Sequence, residues 1–533
     1  VGDVETFWAS EDDTHKNFQV DAVLRYKGQH VYFWVDKSSQ YDQPELEQLA
    51  RAFDEKIYPT DREFFGSEWQ PGIDNDPRLY ILYVSGVGYR IAGYFSSNDE
   101  IHPMAHEYSN AHEMFIINSD TTGLGEPFTY GVLAHEFQHM IHWYRDRNEE
   151  SWLNEGFSEL AAFINGYDVG GFDYVFAGEP DIQLNDWPDD PDATTPHYGA
   201  GFLFVNYFLN RFGEDATKAL VADTANGMSS IDDVLERLNI TDASSGTAIH
   251  ADDVFADWVV TNYLNSSSVG DGRYQYSNYP DAPRLDATQV IDRCPTELTD
   301  QTVHQYAADY IEIDCQGTYT LSFQGNTEVR LVPQDAHSGK YMFWSNKGDE
   351  SDMTLTRAFD LSAANGDVSL NYWTWYDLEK DFDYVYVEVS RDNGKTWQIL
   401  KTPSGTNEDP SGNSYGWAYN GDSIGWINES VDLSAYAGQK ILVRFEYITD
   451  AAVNGEGLLL DDISISAIGY ETDLEADASG WDTAGFVRVE NSLPQTYRLS
   501  LITMDGNDTR VENIPLGANQ NADITLKLGS HSS

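Results

Sequence analysis

The stretch that decides the fold reads Ala134-His135-Glu136-Phe137-Gln138-His139, followed further along by Asn154-Glu155-Gly156-Phe157-Ser158-Glu159. On a helix, residues four apart lie about 5–6 Å apart on one face, so His135 and His139 can offer imidazole nitrogens to one metal ion. Glu136 then stands near the open coordination position, where it can deprotonate a bound water. The flanks support the helix independently of the motif. Residues Phe128-Thr129-Tyr130-Gly131-Val132-Leu133 and Met140-Ile141-His142-Trp143-Tyr144 keep apolar side chains recurring at three and four. His142 shares nearly the same face and is expected to pack or cap, not to join the ligands.

A third ligand must follow. A metzincin pattern requires Gly at 142 and His or Asp at 145, where this chain has His142 and Arg145, so that reading fails. Glu155 is the better candidate. The interval after His139 accommodates the end of one helix, a turn over Arg145 to Glu150, and a second helix starting near Ser151, with Ser151 as its cap. On that second helix Glu155 and Glu159 are again four apart, so one carboxylate can bind metal while the other accepts the free ring N–H of a ligand histidine.

At this point the chain resembles the gluzincin metallopeptidases, whose second helix carries an Asn-Glu-x-x-Ser-Asp/Glu pattern and supplies a glutamate ligand. The resemblance implies zinc held by His135, His139 and Glu155, with Glu159 as the orienting acid and Asn154 beside it in support. The wider stretch, His135 to Trp143 followed by Trp152-Leu153-Asn154-Glu155-Gly156, looks most like the hyicolysin-type secreted neutral metallopeptidases. Val1-Gly2-Asp3 to Phe7-Trp8 and Val31-Tyr32-Phe33-Trp34-Val35-Asp36 are also similar to that family's N-terminal part, so the resemblance covers residues 1–265.

Peptide hydrolysis also needs a donor for the oxyanion on the scissile carbonyl. His197-Tyr198-Gly199 follows a Pro/Asp-rich loop from Asp186 to Pro196 and opens an apolar helix, Ala200 to Leu209. Gluzincins use a Tyr or His downstream of the glutamate ligand for this task, which makes Tyr198 the first candidate and His197 the second.

With 533 residues the chain exceeds one core, and about 150 residues per domain suggests three or four units. The expected fold class is multidomain: an α+β zincin-like catalytic domain followed by all-β modules that include a jelly-roll β-sandwich. The expected divisions are a mixed α/β sheet lobe over 1–125, a helical lobe with the zinc site over 126–270, a β segment over 271–335, the sandwich over 336–470 and a last β unit over 471–533. In the sheet lobe, Glu45-Leu46, Leu49-Ala50 and Phe53 show the helical period; the gluzincin resemblance implies an edge strand that pairs with extended substrate, for which Met114 to Asn118 is the candidate. After Ser266-Ser267-Ser268 the period drops to two, as in Asp383-Tyr384-Val385-Tyr386-Val387-Glu388-Val389-Ser390.

The sandwich segment resembles the module near the C-terminus of immune inhibitor A-type peptidases, and more distantly MAM-type domains. The matching residues are Ser338-Gly339-Lys340-Tyr341, Trp373-Thr374-Trp375-Tyr376-Asp377, the strand at 383–390, and Leu460-Asp461-Asp462-Ile463. Such modules help in substrate engagement or stability, and a glycan or surface ligand is one possible partner. The clusters holding Asp349 and Asp352, and Asp461 and Asp462, are candidates to meet around calcium, with Asp74-Asn75-Asp76 as a weaker one.

The formal net charge of −58, from 89 acidic against 31 basic residues, argues against nucleic acid or an anionic membrane as partner. No stretch approaches the roughly 18 apolar residues of a membrane span. Starting at Val1, the chain reads as a processed form of an exported protein. Its two cysteines, Cys294 and Cys315, are then expected to form one disulfide. The sequence reading is a secreted zinc endopeptidase acting on protein or peptide substrates, with Glu136 as general base. The alternative is a surface adhesion or glycan-binding protein with an idle peptidase domain, against which the intact Glu136 argues.

Overall fold

A computed structural model describes residues 1–529 except 168, 169, 189, 244 and 507, so residue 189 of the Pro/Asp-rich loop lies outside the description. The first layer is a six-stranded sheet of β1 (Val4–Glu11), β2 (Lys16–Lys27), β3 (Val31–Asp36), β4 (Leu79–Val84), β5 (Gly93–Phe95) and β6 (Met114–Asn118), in the order β1-β2-β3-β4-β6-β5. Strands β3, β4 and β6 run parallel, and β5 returns antiparallel to β6. Alternation assigns the faces. Val31, Phe33 and Val35 of β3 point into the main core, while Tyr32 and Trp34 join a second cluster on the opposite face. Because β6 is paired on both sides, the edge next to the helices is β5, which corrects the expectation for Met114 to Asn118.

Helix α1 (Gln43–Ala52) starts at Asp42, whose carboxylate accepts from Glu45 N at 3.1 Å, and has proline in its first turn. It buries Leu46, Leu49 and Ala50. A wider turn over Phe53–Ile57 leads into α2 (Tyr58–Phe64). The second layer is helical: α3 (Pro127–Arg145), α4 (Ser151–Ile164), α5 (Phe172–Gly178), α6 (Thr195–Phe212), α7 (Glu214–Val221), α8 (Gly227–Arg237) and α9 (Ala251–Leu264). One core unites the layers, joining Phe33, Ile81 and Phe115 of the sheet to Phe137, Ile141, Leu153, Phe157 and Phe204 of the helices.

Helices α4 and α6 cross at two glycines. A Cβ on Gly201 would lie 2.7 Å from the Trp152 carbonyl oxygen, and one on Gly156 would lie 2.9 Å from the Gly201 carbonyl. Only two bare backbones fit this crossing, and it holds Glu155 on α4 next to Tyr198 on α6.

Residues 271–335 wrap onto the helical lobe instead of standing apart. Tyr276, Leu285 and Tyr310 join its core, and Tyr306 Oη donates to Asp252 at 2.7 Å. The disulfide between Cys294 and Cys315 is formed, as expected.

Beyond lie two antiparallel sheets that share one core. The first contains the strands at 427–432, 369–377, 457–465, 341–344 and 487–490, and the second those at 398–399, 384–390, 440–448, 352–360 and 482–484. Their inner residues, among them Phe343, Leu355, Tyr372, Val387, Phe445 and Leu460, are buried together. The sandwich thus continues past residue 470. The remainder of the last unit expected over 471–533 divides between a hairpin at 499–514 and a strand at 521–528 that pairs with 317–324. From the hairpin, Ile502 and Val511 pack against Val260 and Leu264 of α9.

Ser151 was expected to cap α4, but it makes no cap. Its hydroxyl donates to Asp349 at 3.2 Å and accepts from Val453 N at 3.4 Å, which ties the start of α4 to the sandwich.

Gly201→Ala gains about 1 kcal/mol of helix propensity. It forces a methyl against backbone atoms that cannot swing aside, an overpacking cost of about 1–3 kcal/mol. The cost is expected to win, with a lower urea midpoint for Gly201→Ala than for the wild type, whereas Gly178→Ala, with open space around its Cβ position, is expected to leave the midpoint unchanged or raise it.

Candidate metal centre

Helix α3 lies against α4, and polar side chains of the two meet across the contact. His135 Nδ1 meets Glu159 Oε1 at 3.1 Å. His139 Nδ1 meets Asn154 Oδ1 at 3.1 Å and Ser158 Oγ at 3.0 Å. Ser158 spends its own proton on Gln138 Oε1 at 2.6 Å, so its oxygen is left to accept. With acceptors at both Nδ1 positions, each ring carries its proton there and turns a lone pair outward at Nε2.

Those two lone pairs converge. His135 Nε2 and His139 Nε2 lie 3.0 Å apart, and Glu155 Oε2 is 3.2 Å from the first and 3.4 Å from the second. Three electron-rich atoms pointing at one spot repel one another unless a cation lies among them. Two imidazole nitrogens and one carboxylate oxygen are a zinc donor set, and these side chains stay 15–18% exposed, which leaves one side open to a water or substrate. Burial raises Glu155, but the charges and hydrogen bonds of His139 and His135 outweigh it and hold the carboxyl at about 2. Burial lowers His135, yet Glu155 and Glu159 lift it well above the ordinary imidazole range, so without a metal a proton joins its Nε2 to the Glu155 carboxylate, and a bound cation takes that proton's place. The residues present therefore fit zinc.

Glu136 is 6% exposed and turns toward the sheet, where the backbone N–H of Phe95 on edge strand β5 donates to it. Burial raises its carboxyl above the ordinary range, and His135 and His139 temper the rise. Tyr198, on the first turn of α6, brings its ring centroid to 6.3 Å from that of His135 and packs against Phe172 and Trp187. Its phenol is held well above its usual range by burial and by the carboxylates of Glu155, Glu159 and Glu136. His197 faces away, toward Trp187 and Asp186. The structure brings Tyr198 to the metal centre and leaves His197 outside it.

The two acidic clusters considered for calcium do not meet. Asp461 is fully buried and accepts from Ser338 N and Asp462 N, while Asp462 holds His337 and Ser338. Asp349 lies beyond the far end of strand 341–344, engaged by Ser151 and Asn454, and Asp352 sits exposed on a strand. Asp349 instead neighbours a group that sequence reasoning missed, Glu379, Asp383 and Asp450, whose ligand atoms lie within 4.8 Å of one another. Asp74 and Asp76 are taken up by His112, Tyr32 and Arg78. Among the described residues no helix is long and apolar enough to cross a membrane.

Residues 324–491 match the family model of the immune inhibitor A-like MAM domain. Pre-pro-metalloprotease PrtV of Vibrio cholerae is 33% identical over 148 residues, 28% of this chain and 15% of that protein. Immune inhibitor A of Bacillus thuringiensis subsp. alesti is 35% identical over 162 residues, 29% of this chain and 22% of that protein. Neutral metalloprotease ShpI of Staphylococcus hyicus is 24% identical over 263 residues, 44% of this chain and 58% of that protein. The chain thus spans between 15% and 58% of the length of these relatives. It is similar to bacterial metalloproteases, and its residues 324–491 match the immune inhibitor A-like MAM domain.

Proposed function

We propose that the chain is a secreted, zinc-dependent endopeptidase of the gluzincin type. The observation that carries this reading is the convergence of His135 Nε2, His139 Nε2 and Glu155 Oε2 within 3.4 Å, with Glu136 beside them under an edge strand. Zinc, when bound there, polarises the scissile carbonyl and acidifies a water. The open edge of β5 takes an extended peptide as an added strand, so backbone hydrogen bonds set its register. Glu136, whose carboxyl burial raises above the ordinary range, takes the proton from water and returns it to the leaving amine. Tyr198 keeps its phenolic proton, because burial and three nearby carboxylates oppose ionisation, and donates it as a hydrogen bond to the oxyanion. This reading takes protein or peptide substrates, and the sandwich steadies α4 through Ser151 and Asp349.

Glu136→Gln is expected to lower kcat on casein by roughly 10²–10⁴-fold while zinc content stays that of the wild type. Unchanged activity in that variant contradicts the mechanism. Tyr198→Phe is expected to lower kcat by about 10²-fold with KM nearly unchanged, since it removes a bond made only in the transition state. A rise confined to KM assigns Tyr198 to substrate binding instead.

Calcium is the second cation of this reading, held by Glu379, Asp383 and Asp450 with Asp349 alongside. Burial pushes Asp349 up to about 6 and Asp450 up to about 7, and holds Asp383 well above the ordinary carboxylate range. These folded-state values exceed the unfolded ones, so the cation-free fold keeps protons that the unfolded chain releases from about pH 4 upward. Stability from these groups is present below that point and falls as pH rises through about 7. Calcium substitutes for the missing protons, so it is expected to raise Tm more at pH 8 than at pH 5 in scanning calorimetry. Equal shifts at the two pH values contradict calcium binding by these groups.

A further inference from the structure

A second cluster of ligand atoms lies one helical turn beyond the zinc motif. One ligand atom from each of His142, Asp146 and Glu149 lies within 4.8 Å of the others, and the atoms these groups leave over from other bonds are His142 Nε2, Asp146 Oδ2 and Glu149 Oε2. All three side chains are more than nine-tenths buried, with exposures of 1%, 8% and 3%. None of these three atoms has a hydrogen-bond partner. Buried polar atoms are rarely left so, and three sharing one spot call for a common partner.

The other atom of each group is already fixed, which aims the three inward. Glu149 Oε1 accepts from Glu150 N and from Gly227 N at the start of α8, each at 2.7 Å. The Asp146 carboxylate accepts from Asn148 N. His142 Nδ1 donates to Asn154 Oδ1 at 3.2 Å, so its Nε2 carries the lone pair. With both carboxylates ionised, three acceptors line this cluster; burial pushes Glu149 up to about 8, so without a cation it holds a proton that a metal ion would displace. A water brings only two protons and leaves one acceptor unmet, whereas a divalent cation satisfies all three and balances both carboxylates.

We propose that His142, Asp146 and Glu149 form a second metal site, distinct from the one at His135, His139 and Glu155, for a first-row divalent ion of the zinc class. The donor set decides the class. Calcium takes six to eight oxygens, while one imidazole with two carboxylates suits zinc and its neighbours. The ion clamps the turn between α3 and α4, the two helices that supply the zinc ligands of the first site. Both sites share one orienting group: Asn154 Oδ1 accepts from His139 Nδ1 at 3.1 Å and from His142 Nδ1 at 3.2 Å. Asn154 is a positioning residue for both rings.

The test counts bound zinc by elemental analysis on the full chain after dialysis against trace zinc in millimolar calcium, which fills oxygen-only sites. Two equivalents are expected in the wild type and one in Glu149→Gln. A His135→Gln/His139→Gln variant separates this site from the first. It is expected to keep one equivalent, lost again when Glu149→Gln is added, and to gain thermal stability with zinc while having no peptidase activity. A single equivalent in the wild type, or none in the His135→Gln/His139→Gln variant while it shows the wild-type circular dichroism spectrum, overturns the second site. Two equivalents in Glu149→Gln also overturn it.

Discussion

The arrangement depends on a pair of hydrogen bonds made at the back of two imidazoles. Glu159 takes the Nδ1 proton of His135, and Asn154 with Ser158 takes that of His139. Every acceptor in that set comes from α4, and both rings come from α3. The packing of two helices therefore sets tautomer and aim together, so that two Nε2 lone pairs and the Glu155 carboxylate arrive at one point. Anything that shifts α4 along α3 by a fraction of a turn dismantles the site.

Three constraints hold that packing. The glycine crossing of Gly156 and Gly201 brings α6 against α4 and delivers Tyr198 to the side of His135. The turn between α3 and α4 is fixed by Glu149, whose carboxylate is gripped by backbone amides of two segments. From outside, the MAM domain reaches the start of α4 through Ser151, Asp349 and Val453. A module that is remote in sequence thus bears on the helix that supplies Glu155.

Much of this was legible in the sequence because local periodicity and local chemistry agreed. The two helices, the four-residue spacings and the second-helix acids are short-range features, and the structure places His135, His139, Glu155, Glu159 and Asn154 together. The disulfide followed from there being two cysteines. What failed depended on long-range pairing. Strand β5 has three residues and no readable period, so the edge was assigned to the stronger strand, β6. Ser151 has the composition of a cap but finds Asp349, 198 residues away. Acidic clusters are common in a chain with 89 acidic residues, so proximity in sequence said little about which of them meet. The sequence reads His142 as a packed or capping residue, and its company with Asp146 and Glu149 needs the bend after α3 to appear.

The most direct measurement is anomalous diffraction at the zinc absorption edge from crystals of the zinc-loaded full chain. The account expects a strong peak within bonding distance of His135 Nε2, His139 Nε2 and Glu155 Oε2, with Glu136 beside it and not bound to it. Zinc-loaded crystals with no peak at that point, or with Glu136 in place of Glu155 among the ligands, contradict it.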